Sequence, residues 1–233
     1  MKIKFIYLLP NFLTALSIFF GVMSIIAASQ GKFEKAFVYI ILSLIADGLD
    51  GRIARVTNTT SDFGVEFDSL ADIVAFGVAP AMLLFFAIGE NYGKFGALVS
   101  GLFVVFGAIR LARFNITTND PSYFIGLPIP TSAVVLASWV ILDVKYNSSF
   151  DIFLLIEALI LSFLMVSNFR YPSFKKIDLN KNIAFKVLIL TIMGASIIYL
   201  YPIESIAFIL SSYVLYGIIR SIKSYKKIID FKS

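Results

Sequence analysis

No cysteine and no histidine occur in the 233 residues, and only 15% of them are charged. Without thiols there is no disulfide framework and no thiolate nucleophile. Without imidazole as well, the side chains from which zinc sites are usually built are missing. Metal chemistry is left to carboxylate oxygens, which suit hard cations. Charge falls short of the roughly 25% found in globular domains, and the hydrophobic share of 59% exceeds their usual 45–50% or so. With a mean hydropathy of +0.89, this is the composition of a membrane protein. The net charge of +5 does not imply a nucleic-acid partner, and none is expected, because in such a chain the placement of basic residues matters more than their sum.

Apolar stretches of the length a bilayer requires, about 17–25 residues, fall at 8–29, 33–56, 66–88, 93–115, 129–144, 150–168, 183–201 and 203–222. The fifth is short and opens beside Pro128 and Pro130, residues tolerated in a helix's first turn. The first, behind Lys2 and Lys4, resembles a secretory signal, but further apolar segments follow at once and it is read as a retained helix. Eight spans put both termini on one side. Only Lys32, Lys35, Lys94 and Lys145 of the 20 basic residues then fall opposite, which makes the termini cytoplasmic. The expected architecture is an all-α polytopic bundle forming one domain over 1–233. The basic segments near the C-terminus suit anionic lipid headgroups of the bilayer.

Against that background, positions 46–72 bring together six acidic residues. Asp47, Asp50 and Ala54 are spaced i, i+3, i+7, and Gly64, Asp68 and Asp72 by fours, so each set lies on one helical face. The polar segment "VTNTTSDF" between them reads as a short turn, so the two faces meet at the cytoplasmic end of an antiparallel pair. Four converging carboxylates repel, and a charged group inside the bilayer costs about 2.5–3.5 kcal/mol or more. A positive partner is required. Arg52 and Arg55 can supply some of it, and a divalent cation neutralises four oxygen ligands more compactly. On the residues alone, a salt-bridge network, a cation-coupled transporter and a metal-dependent phosphoryl-type transferase all remain open. Gly51 and Gly64 leave room for a bulky ligand, or for a close helix crossing. Asp62 and Glu66 read as solvated turn charges.

The run D-x2-D-G-x2-A-R-x8-G-x3-D-x3-D, here Asp47, Asp50, Gly51, Ala54, Arg55, Gly64, Asp68 and Asp72, resembles the signature of the CDP-alcohol phosphotransferase family without departure. Those membrane enzymes transfer a phosphate-bearing group from a CDP-alcohol to a second alcohol and release CMP. The resemblance implies a six-helix core and one or two Mg²⁺ or Mn²⁺ ions on the four aspartates. It also implies that Gly51 and Ala54 make room for the nucleotide, that Arg55 contacts the diphosphate or orients a carboxylate, and that Asp72 is the general base. The need for a base is general, since a serine hydroxyl is a weak nucleophile at neutral pH.

The second substrate is addressed by "RLARFN" at 110–115, the following "F-x-GLPIP" and the N-terminal "PNFLTALSIFFG", which resemble the phosphatidylserine synthase branch of that family. The resemblance implies transfer from a CDP-diradylglycerol, ester- or ether-linked, to L-serine by a homodimer. Arg110 or Arg113 then holds the serine carboxylate or a lipid phosphate, in keeping with the fork geometry of guanidinium. Asn11 and Thr14 line the nucleotide side, or else cap the first helix. An acceptor bearing phosphate, such as glycerol 3-phosphate or inositol phosphate, is the main alternative, because two neighbouring arginines suit it equally.

Overall fold

The computed structural model describes residues 8–117, 123–172 and 199–230. The first helix, α1 (Leu8–Ser29), shows how the chain is sorted. Pro10, Thr14, Ser17, Gly21, Ser24 and Ala28 are buried, at alternating steps of four and three, whereas Phe12, Phe19, Val22 and Ile26 are exposed. Small and hydroxyl-bearing residues face protein and large apolar ones face outward, as expected where lipid is as apolar as any core. The inward stripe packs on α2 (Phe33–Val56). The two helices exchange hydroxyl bonds, Ser17 Oγ to Ser43 O at 3.3 Å and Ser43 Oγ to Ser17 O at 2.9 Å, which seats them closely without an exposed backbone group.

Continuous helix runs from Asp62 to Ala87 in three pieces: α3 (Asp62–Asp72), a π-helical turn over Ile73–Val78, and α4 (Ala79–Ala87). The sequence contains the reason for the break. Pro80 lacks an N–H and its ring crowds the carbonyl four residues back, and the wider turn just before it, in which Ala79 N–H reaches Val74 O, removes the conflict. Gly21 fits against this turn, where an added Cβ would sit 2.9 Å from Ala75 Cα. Gly21→Val is therefore expected to destabilise the protein by about 1–3 kcal/mol through overpacking, read as a lower melting temperature in detergent. An unchanged melting temperature would show that the close approach is dispensable.

After α5 (Gly93–Ile116) and a short strand β1 (Tyr123–Ile125) comes α6 (Ile129–Tyr146), the most deeply buried helix, then α7 (Asp151–Val166), strand β2 (Arg170–Pro172) and α8 (Pro202–Asp230). The strands form an antiparallel ribbon pairing Phe124 with Tyr171 and Ile125 with Arg170, a feature that hydropathy did not foreshadow. At the opposite end from the aspartates, α6 is tied to α8 by Lys145 Nζ and Tyr146 Oη, which donate to Glu204 Oε1 at 2.8 and 2.7 Å.

The protein is an all-α, multi-pass membrane protein. Among the described residues five helical segments are long and apolar enough to cross a membrane: Leu8–Ser29, Asp62–Ala87, Gly89–Ile116, Ile129–Tyr146 and Pro202–Lys223. Two further expected spans are helices at their expected places, α2, whose C-terminal end carries Asp47, Asp50, Arg52 and Arg55, and α7, which has 16 residues. Most of the seventh, 183–198, lies outside the described residues.

Candidate active site

The last turns of α2 and the first turns of α3 are joined by residues 57–61. Asn58 adopts a left-handed conformation, φ 51°, which Asn tolerates better than most residues. Ser61 Oγ then accepts from Gly64 N at 3.1 Å and caps α3, a standard use of Ser at that position. This reversal brings the two acid-bearing faces together. Carboxylate oxygens of Asp47, Asp50 and Asp68 lie within 4.8 Å of one another, and the charge of Asp47 acts on both Asp68 and Asp72. Asp50 and Asp72 are both buried, 5% and 8% exposed. One oxygen of Asp68 and one of Asp72 are buried without a protein partner. Asp62 and Glu66 point into the open.

Two cations flank this group: Arg55 acts on Asp50 and Arg110 on Asp72. Thr14 Oγ1 donates to Asp50 Oδ2 at 2.6 Å. Thr14 lies within α1, so its hydroxyl orients a carboxylate rather than capping a helix. Two guanidinium groups leave four carboxylates undercompensated, and buried oxygens without partners are costly. A cluster made only of carboxylate oxygens, two of them orphaned, fits a hard divalent cation. This end of the protein can hold a metal.

A cavity opens on one side of the cluster, lined by Pro10, Asn11, Thr14, Asp50, Gly51, Ala54, Arg55, Thr59, Thr60, Ser61, Gly64, Val65 and Asp68. Eight sequence-derived candidates meet there: Asn11, Thr14, Asp50, Gly51, Ala54, Arg55, Gly64 and Asp68. A Cβ on Gly51 would meet nothing nearer than the Arg55 guanidinium at 3.6 Å, so the missing side chain leaves free cavity space. Gly64 differs, because a Cβ there would press on the capping Ser61 Oγ at 3.2 Å. The hydroxyl wall of Thr59, Thr60 and Ser61 went unnoticed as anything more than a polar turn. Its signal was three consecutive hydroxyl residues between two acid-bearing helices in an apolar chain.

Asp47, Asp72, Arg110 and Arg113 lie off that lining. Arg110 is 6% exposed, its charge acts on Asp72, its Nε has no partner, and its guanidinium stands 5.1 Å from the Phe114 ring centre. Arg113 turns elsewhere. Its Nη1 donates to Val166 O at 2.8 Å and its Nη2 to Ser167 O at 2.9 Å, with Met165 O, Ile125 O and Asn168 Oδ1 at 3.3–3.4 Å.

A family model described as CDP-alcohol phosphatidyltransferase matches residues 7–164. The CDP-diacylglycerol–serine O-phosphatidyltransferase of Helicobacter pylori strain J99 is 51% identical over 238 residues, covering 100% of this chain and 99% of that protein. The protein of the same name from Methanocaldococcus jannaschii is 39% identical, covering 74% and 78%. The archaetidylserine synthase of Methanothermobacter thermautotrophicus is 36% identical, covering 73% and 72%.

Proposed function

Because this chain belongs to the CDP-alcohol phosphatidyltransferase family, we propose that it transfers the phosphatidyl-type group of a CDP-diradylglycerol to L-serine at its four-aspartate end, releasing CMP. The protein is a membrane transferase of phospholipid biosynthesis. The observation that carries the assignment of the site is the gathering of Asp47, Asp50 and Asp68 within 4.8 Å, with buried Asp72 and Arg110 directly behind. Asp47, Asp50, Asp68 and Asp72 would hold one or two Mg²⁺ or Mn²⁺ ions. Such ions, when bound, neutralise the diphosphate and the charge that builds on departing CMP.

The remaining work belongs to side chains. The cavity takes the cytidine end, with space left by Gly51 and Ala54, polar walls from Asn11 and the hydroxyl turn, and Arg55 at the diphosphate. On the far side, Arg110 holds the serine carboxylate. The serine hydroxyl oxygen bonds to the lipid-side phosphorus, its proton passes to an Asp72 carboxylate oxygen, and the bond to CMP breaks. Positioning the two substrates against each other supplies much of the rate. The site faces the cytoplasm, as the basic residues direct, and the chain works as one domain in a homodimer.

Serine is favoured over a phosphate-bearing acceptor by the state of the arginine pair. A phosphate suits two guanidiniums, whereas Arg113 is engaged by backbone carbonyls and Arg110 alone remains beside Asp72. Purified protein given a CDP-lipid is expected to release CMP with L-serine and not with glycerol 3-phosphate or inositol phosphate. CMP release with a phosphate acceptor and not with serine would reverse the assignment. Parallel assays with ester- and ether-linked donors identify the lipid.

A further inference from the structure

Residues 123–128, which lead into α6, are bolted to the end of α7. Gly126 N donates to Phe169 O at 2.8 Å and Leu127 N to Leu164 O at 3.0 Å. Into the same corner Arg113 sends its guanidinium, which reaches the carbonyls of Met165, Val166 and Ser167 together with Ile125 O from β1. The last carbonyls of a helix have no partners within it, and a cation there also meets the negative end of the helix dipole. Gly126 is the only residue type that fits, with φ +77° and a Cβ position overlapping Met165 O and lying 2.6 Å from Arg113 Nη2. One guanidinium thus joins three chain segments, and it sits on α5 three residues beyond Arg110.

We infer that Arg113 is a positioning residue that fixes the depth and rotation of the end of α5, and so aims Arg110 at the acceptor's carboxylate, without touching substrate itself. The inference rests on the assignment of Arg110 as the carboxylate holder. Placement errors of about 1 Å can cost about 10²-fold in rate, so a fork with five acceptors is a sensible anchor for a single buried cation.

Kinetics on the full-length protein in bilayer discs test it. Arg113→Ala is expected to raise the KM for serine about tenfold, the equivalent of about 1.4 kcal/mol, while kcat and the KM for CDP-lipid change less than about threefold. Arg113→Lys recovers part of this, since lysine restores the cation at the α7 terminus but has three donors and no planar fork. Gly126→Ala, which leaves every arginine in place, reproduces the serine defect by displacing the corner.

The deciding comparison is a double-mutant cycle. Once Arg110→Gln has removed the group being aimed, adding Arg113→Ala raises the serine KM no further. Additive effects would make Arg113 a direct contact and overturn the inference, as would a serine KM unchanged in both Arg113→Ala and Gly126→Ala, or a parallel loss in every kinetic constant. If Arg110→Gln leaves the serine KM unchanged, it is the assignment of Arg110 that fails. If it raises that KM while the Arg113 and Gly126 variants do not, the positioning role alone fails.

Discussion

Asp72→Asn is expected to lower CMP release about 10²–10⁴-fold, the usual contribution of a positioned general base, while leaving the protein folded. Asparagine matches aspartate in size and keeps one oxygen, so the packing around a side chain that is 8% exposed is preserved. What disappears is the basic oxygen. The substitution also removes one of several like charges, since Asp47 and Asp68 both act on Asp72, so the metal-free variant is expected to melt no lower than the parent. Chromatographic assay of CMP, paired with thermal unfolding in the same detergent, reads both quantities. Near-parental turnover would remove Asp72 from the role of base.

Chelation is expected to have an effect of similar size. Stripping divalent ions with EDTA should abolish CMP release, and Mg²⁺ or Mn²⁺ should restore it. Binding itself is measurable without turnover, by the spectroscopic signal of free Mn²⁺. Asp50→Ala should weaken Mn²⁺ binding by more than the roughly 10–100-fold that follows loss of an outer-shell partner. Thr14→Val, which deletes the hydroxyl held 2.6 Å from Asp50 Oδ2, should fall within that range. Equal Mn²⁺ affinity in the parent and the Asp50 variant would mean that the cluster is not a metal site. A cation-coupled transporter predicts the reverse of these outcomes, ion flux across vesicles with no nucleotide released.

Part of this molecule was legible because its signals are local. Helical period alone put Asp47 with Asp50, and Asp68 with Asp72, on shared faces. A polar turn of a few residues then left little choice but to bring those faces together. The positions of α1, α2, α5, α6 and α7 followed from the length of apolar runs, since a bilayer imposes both helix and minimum span. The hydroxyl wall at Thr59–Ser61 was visible as letters, yet composition does not say which side of a turn faces a cavity. The ribbon of β1 and β2 escaped notice because three-residue strands separated by two whole helices leave no periodic trace.

The amino-acid sequence by itself thus determined the solvent this protein occupies, the order of its helices and the gathering of carboxylates, all of which depend on neighbours within a few turns of one another. Only the tertiary structure separated Arg110 from Arg113. The two stand three residues apart in similar surroundings of sequence, but their fates depend on partners 38 positions earlier for one and 52–54 positions later for the other. Such partners are selected by how α3, α5 and α7 pack, and packing is a property of the assembled bundle that no local spacing encodes.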